Sequence, residues 1–436
     1  MTTSKRRVAD LLVEFSAPLL FGVAVALLCA NLFQDAYQHA IHWKPFGDIS
    51  LLHHEVTLHW LVNDIFMVFF FGIAAKEITE SCLPGGSLNP LRKAVNPLFA
   101  TLGGVVGPVV VFFAGLFMCF KLGIYTPADD IQLLARGWGI PTATDIALAW
   151  LVARTVFGKG HPAVNFLLLL AVADDAIGLI IIAVFYGSVE YPPEPIYLGL
   201  VVLASLLAYG FRRAGLTKWW LYVGLAGPLA WSGLVLAHLH PALALVAVIP
   251  FLPAPRRDTG MFASGDEVDL MGVELARDLH VEHSALHLYE HHTKPFVDFG
   301  LFFFAFTNAG VEFSGIGTMT WLILGGLVIG KTIGVTLLGL VARRMGFQLP
   351  ARMGLPELMM AGFIAALGLT VALFVATAAF VDPALQGQAK MGALFSGFVG
   401  LVAIGLARAF GIGDRAKEVG TSKSRGTQQA QHSASH

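Results

Sequence analysis

Long apolar runs recur along this chain, separated by short polar stretches. A helix needs roughly 20 mostly apolar residues to cross a bilayer. About twelve such runs can be read, near 11–33, 58–77, 95–118, 134–156, 163–187, 195–211, 219–237, 239–252, 296–312, 320–342, 356–380 and 389–410. The seventh and eighth are short and are divided at His238-Leu239-His240-Pro241. The first follows Lys5-Arg6-Arg7 but is too long for a secretory signal and lacks a small-residue cleavage site, so it reads as a retained span. The pattern predicts an all-α polytopic membrane protein with about 12 transmembrane helices in one domain over 1–410. An outer segment at 34–57 and an inner loop at 253–295 interrupt the runs, and the polar stretch 411–436 predicts a disordered cytoplasmic tail.

Composition agrees with this pattern. Of 436 residues, 56% are apolar and only 13% charged, where soluble domains carry about 25% charge. Mean hydropathy is +0.71. An ordinary soluble enzyme is excluded, and 28 basic against 29 acidic residues leave no footprint for nucleic acid. Cys29, Cys82 and Cys119 lie too far apart for a disulfide or metal framework. Basic residues fix the orientation. With a cytoplasmic N-terminus, 23 of the 28 fall inside, Lys44, Lys121, Arg136 and Lys390 fall outside, and Lys331 lies within a span. One missed helix would invert every later loop, so this bias supports both the span count and two cytoplasmic termini.

The informative charges are those inside spans. Asp145, Asp174, Asp175 and Lys331 would together cost on the order of 10–14 kcal/mol on insertion scales. Such groups must pair, face water or act. Asp174 and Asp175 sit at the middle of their run and point about 100° apart on a helix. One can therefore line an ion cavity while the other meets a neighbouring helix. Two buried carboxylates close together also suit the exchange of a proton for a hard cation. The alternative is a pair satisfied by helix–helix hydrogen bonds. Asp145 follows Gly139, Pro141, Thr142 and Thr144. This pattern predicts a broken helix around 139–146 with a carboxylate and hydroxyls at the break. The alternative is a Pro-kinked span with Asp145 near an interface. Lys331 is a lone cation whose natural partner is one of the three Asp residues, the alternative being snorkelling to an interface. Gly368 and Thr370 lie in midspan, and Asn63 and Asp64 lie near the outer end of the second run.

His280, His283, His287 and His291 share one helical face, with His292 beside them. A zinc site, a proton-sensing patch and a solvated face all remain open for them. Soluble-enzyme fingerprints are absent, and the surroundings of the Asp residues lack the Tyr-Asp and Gly-x-Gly-Asp contexts of intramembrane aspartyl proteases.

These residues give a resemblance. The chain resembles the NhaA-type sodium/proton antiporters over about 11–410. The resemblance rests on Pro141-Thr142-Ala143-Thr144-Asp145-Ile146-Ala147, Asp174-Asp175, Asn308-Ala309-Gly310-Val311, Ile329-Gly330-Lys331 with Gly334, and Gly368-Leu369-Thr370. It implies inverted repeats with two discontinuous helices, around 139–146 and 366–372. Asp175 would be the main Na⁺-binding carboxylate, with Asp174 beside it and paired to Lys331. Thr144 lies at the same site, and Asp145 and Lys331 would compensate partial charges where the broken helices cross. It implies an electrogenic Na⁺(Li⁺)/H⁺ antiporter of the bacterial inner membrane, without a cofactor. It also implies a homodimer joined through 34–57 and a pH response involving His240. The family's charged cluster at the inner end of the second span becomes Ala74-Ala75-Lys76-Glu77-Ile78-Thr79-Glu80, and its Glu-His-x-x-His-Pro stretch becomes Glu290-His291-His292-Thr293-Lys294-Pro295. Lys76, Glu77, Glu80, Glu290 and His291 are therefore candidates for pH response. The other readings are a membrane-embedded sensor or hydrolase, and a related transporter of another cation such as K⁺.

Overall fold

The computed structural model describes residues 17–51, 54–84, 86–89, 91–126, 128–158, 160–187, 192–254, 284–350 and 352–412. The first residues of the first run (11–16), His280 and His283 of the inner loop, and the tail beyond 412 lie outside these. The helices are α1 Ala17–Leu32, α2 Gln34–Ile41, α3 Leu58–Ser81, α4 Leu91–Lys121, α5 Ile131–Thr142, α6 Ile146–Phe157, α7 Pro162–Phe185, α8 Pro195–Arg213, α9 Trp219–Leu236, α10 Pro241–Phe251, α11 Ala285–Asn308, α12 Thr318–Arg344, α13 Leu355–Ile364, α14 Leu369–Ala379 and α15 Pro383–Phe410.

Seven of these helices are long and apolar enough to cross a membrane, and the bent pairs α5/α6 and α13/α14 bring that to nine. Short α1 and α10, together with α11, which carries Glu290, Lys294 and Asp298, account for the remaining apolar runs of the sequence. Three details differ from the sequence expectation. Segment 34–57 is not purely irregular: α2 precedes an antiparallel hairpin, β1 Ser50–Leu51 with β2 His54–Glu55. The eighth run is a 3₁₀ segment rather than an α-helix, because Pro241 and Pro250 remove donors. It is set off from α9 by His238 at a φ of 57°, an uncommon conformation for a residue with a Cβ. The last span begins at Pro383, not 389. Asp382 caps it by accepting from the Ala384 amide at 3.1 Å, so Lys390 lies well inside α15.

Close packing is built on glycine. Gly103 and Gly107 on α4 face Gly334 and Gly330 on α12, each against the other's backbone, so a Cβ at any of them would strike main-chain atoms. Small residues at four-residue spacing let membrane helices approach this closely. A π-helical turn over Gly326–Gly330 ends immediately before Lys331. Such turns shift the register of the side chains that follow. The α4/α12 contact thus fixes where Lys331 stands. Asn96 reinforces it by donating to the carbonyls of Gly339 at 3.2 Å and Phe347 at 2.7 Å.

Gly334→Ala forces its new methyl onto the Gly103 carbonyl, whereas Gly178 has open space around it. Overpacking costs about 1–3 kcal/mol. Gly334→Ala is expected to lower the thermal unfolding midpoint of the detergent-solubilised protein, and Gly178→Ala to leave it in place.

Candidate functional site

Both broken helices open at the same level. Pro141 holds α5 in a 3₁₀ end, and Ala143, Thr144 and Asp145 are extended before α6 begins. Opposite them, residues 365–368 separate α13 from α14. The bends are 47° and 49°. The two breaks share hydrogen bonds. The Asp145 amide donates to the Leu367 carbonyl, and the Thr144 hydroxyl donates to the Ala365 carbonyl at 3.0 Å. Gly368 approaches the Ala143 carbonyl too closely for a side chain, and its amide donates to the Ser396 hydroxyl at 3.2 Å.

Asp145 spans the crossing. Its Oδ1 accepts from the Leu148 amide at 3.1 Å, which caps α6. Its Oδ2 accepts from the Thr370 amide at 3.3 Å and from the Thr370 hydroxyl at the start of α14. One carboxylate therefore faces the positive ends of two helix dipoles. The partnership with Thr370 is specific to the fold and cannot be read from spacing.

Lys331 is fully buried, and Asp174 is 3% exposed. Their Nζ···Oδ2 distance is 2.7 Å, and Lys331 also donates to the Thr144 hydroxyl. Of the three Asp residues, Asp174 is the partner. Its other oxygen, Oδ1, has no hydrogen-bond partner among the described residues. Asp175 points elsewhere, as a neighbour on a helix must. It lines a narrow pocket of about 10 Å³ with Phe70, Phe71, Ala74, Leu179, Ile182 and Val371. That is room for about one water, which needs roughly 10–15 Å³ on this measure. The arrangement offers one free carboxylate oxygen and a second carboxylate beside a small, mostly apolar space, and carboxylate oxygens are donors suited to a hard cation.

The remaining candidates divide. Lys76 is 3% exposed and bridges Glu80 at 2.7 Å and Glu290, tying α3 to α11. Glu77 lies within electrostatic range of Lys76, Glu80 and Glu290. It follows Ala74 by three residues, on the same face, and lies within electrostatic range of Asp175. His291 is exposed and meets only the ring of His292 among the described aromatic contacts. The His240 ring lies against that of Phe374 at 4.5 Å, tilted by 51°, and its Nδ1 has no hydrogen-bond partner among the described residues. No group of three or more His, Cys, Asp or Glu suited to a metal ion occurs among the described residues.

Two features escaped the sequence reading. Tyr186, at the end of α7, accepts from the Gly139 amide at 2.9 Å and donates to the Arg136 carbonyl at 2.7 Å, clamping the 3₁₀ part of α5. A chain of amides and hydroxyls joins Asn63, Asn308 and Thr377: Asn308 donates to Asn63 at 3.1 Å and Thr377 donates to Asn308 at 3.0 Å. Asn63, near the outer end of its run, and the motif around Asn308 carried the signal for it.

Crossed broken helices in a membrane bundle, with a carboxylate at the crossing and a buried ion pair at its side, define a membrane ion transporter. A family model described as Na⁺/H⁺ antiporter 1 matches residues 13–407. The chain is 56% identical over 407 residues to a Na(+)/H(+) antiporter NhaA of Geobacter sulfurreducens, spanning 93% of this chain and 99% of that one. It is 53% identical over 413 residues to the NhaA of Desulfitobacterium hafniense, spanning 94% and 98%. It is 41% identical over 419 residues to that of a Jannaschia species, spanning 89% and 94%. The chain belongs to the Na⁺/H⁺ antiporter 1 family and is a multi-pass sodium/proton antiporter.

Breaking a buried ion pair by removing one partner costs about 3–5 kcal/mol, because the other charge is left uncompensated. Lys331→Met should therefore destabilise the folded protein by about that amount, and Asp174→Asn added to it should restore much of the loss. Thermal unfolding of the single and double variants in detergent measures both.

Proposed function

We propose that Na⁺ and H⁺ compete for Asp174 and Asp175, and that the protein carries them across by alternating access. The observation that supports this is the division of labour between the two carboxylates. Asp174 spends one oxygen on Lys331 and keeps one free, while the neighbouring Asp175 lines a pocket of one-water size. A cation entering beside Asp175 gains oxygens from both residues and takes the place of the Lys331 ammonium at Asp174. The displaced ammonium is then left without its partner in a buried site. Asp175 and Lys331 thus both carry exchangeable protons against one cation, so the cycle moves net charge, with more protons inward than Na⁺ outward. No cofactor enters this scheme and no substrate bond is made or broken, which is secondary active transport rather than enzyme catalysis. Li⁺, equally hard, is the second substrate. Thr144 and Asp145 hold the crossing while one bundle rocks against the other.

The protein resides in the bacterial inner membrane with both termini cytoplasmic, the orientation that its basic residues favour. The end of the bundle carrying Lys76, Glu80 and Glu290 is then the cytoplasmic one, and Glu77 stands between it and Asp175. This cluster, Glu77 and His240 set the pH response. His291, which is exposed, contributes from the surface. The 34–57 segment, with its hairpin, joins two copies as a homodimer.

Everted vesicles test the site. Addition of NaCl or LiCl is expected to release protons from acidified vesicles that contain the wild-type protein, and KCl to release none. Asp175→Asn is expected to lose this response while accumulating normally in the membrane. Normal exchange by Asp175→Asn would refute the assignment, and a response to KCl alone would move the substrate to K⁺.

A further inference from the structure

Lys390 is a charge that the site described above does not use. It lies inside α15 and is 6% exposed. Among the described residues it has no hydrogen bond and no ion pair. A lone ammonium in a span is costly and marks function by default. Its surroundings place it. Gln386, one turn earlier on α15, donates to the Thr377 carbonyl at 3.4 Å and the Phe380 carbonyl at 2.8 Å. Thr377 continues the chain through Asn308 to Asn63, whose amide donates to the His59 carbonyl at 3.0 Å. His59 lies within electrostatic range of Lys390. Residues from α3, α11, α14 and α15 thus form a polar layer with Lys390 at its edge.

Two helices give the height of this layer independently. On α3, Asn63 precedes the pocket residue Phe70 by seven positions, and on α14, Thr377 follows Thr370 by seven. At 1.5 Å per residue each offset is about 10 Å. Both lead away from the end that holds Lys76 and Glu290. Phe71, in the pocket wall, packs edge to face at 5.0 Å on Phe374, which lies between Thr370 and Thr377 on α14, and the His240 ring is tilted against Phe374. From the carboxylates outward come the pocket, with Phe71 in its wall, and then the polar layer, with Lys390 at that layer's edge.

We propose that Lys390 is a specificity-determining residue of the outward path, lowering the affinity of the carboxylates for Na⁺ that arrives from the outer face. The inference rests on the site and orientation proposed above. When the aromatic pair parts, water reaches the polar layer and hydrates the ammonium, so its charge is expressed in the state open to the outside. A cation must then pass it to reach Asp175. In the state open to the cytoplasm, the closed aromatic pair keeps Lys390 away from the path. Release outward is thereby favoured over rebinding. One unit charge about 10–15 Å from the site, at an effective dielectric constant of about 20, changes cation affinity by about tenfold.

The test measures the apparent KM for Na⁺ from each face, with Na⁺ added to right-side-out and to everted vesicles and proton movement as the readout. Lys390→Met is expected to lower the outer KM several-fold to tenfold and leave the inner KM unchanged. Lys390→Arg is expected to keep the wild-type asymmetry. If Lys390→Met fails to accumulate, Lys390→Gln removes the charge while keeping a polar tip, with the same expectation. An unchanged outer KM, or an equal change from both faces, would overturn the inference. Asp175→Asn, run in parallel, separates the two readings. Exchange by that variant refutes the site itself, whereas a symmetric response to Lys390→Met with Asp175→Asn inert refutes only the role of Lys390.

Discussion

Everything in this molecule follows from the need to match charge where no water can do so. Asp145 meets that need for two helix N-termini at once, through Leu148 and Thr370. Without it, two dipole ends would face each other inside a membrane. Lys331 and Asp174 meet it for each other at 2.7 Å. The glycine contact between α4 and α12 then acts as a positioning device, because the tight backbone approach at Gly330 and Gly334 sets the ammonium against its carboxylate. The pairing is close but incomplete. Asp174 keeps an unused oxygen, and Asp175 stands beside a space too small for more than about one water.

The two ends of the bundle are built on different chemistry. At one end Lys76 is held between Glu80 and Glu290, a compact ionic cluster that ties α3 to α11. At the other, neutral donors and acceptors on Asn63, Asn308 and Thr377 link three helices without any ion pair. Neutral hydrogen bonds within a membrane are individually weak, about 0.6 kcal/mol on average. A layer made of them can open and re-form with little cost.

Legibility in the sequence tracked energetic cost. Asp145, Asp174, Asp175 and Lys331 stood out because charged groups in apolar runs are expensive, and Pro141 marked the first break because it disturbs a helix in a recognisable way, whereas the second break, at Gly368, came from the family resemblance. Which Asp meets Lys331 is not legible in helix spacing, which separates Asp174 from Asp175 without saying which faces α12; the family resemblance alone pointed to Asp174. Thr370 as a ligand of Asp145, and Tyr186 as a clamp on Gly139, depend on distant segments meeting and leave no local trace. The polar layer was obscured for another reason: amides and hydroxyls blend into a membrane composition. Lys390 was assigned to the outer boundary because the run was started at 389. The Asp382-Pro383 pair, an N-cap followed by proline at the first helical position, was the available signal that the helix begins earlier.

The central claim is that sodium and protons share one pair of carboxylates. Sodium binding to the purified protein, followed by calorimetry across a range of pH in weakly buffered solution, tests it most directly. Competition requires that the apparent Kd rise as pH falls, approaching tenfold per pH unit for each proton displaced, with protons released on binding. A Kd independent of pH, with no proton released, would contradict the account.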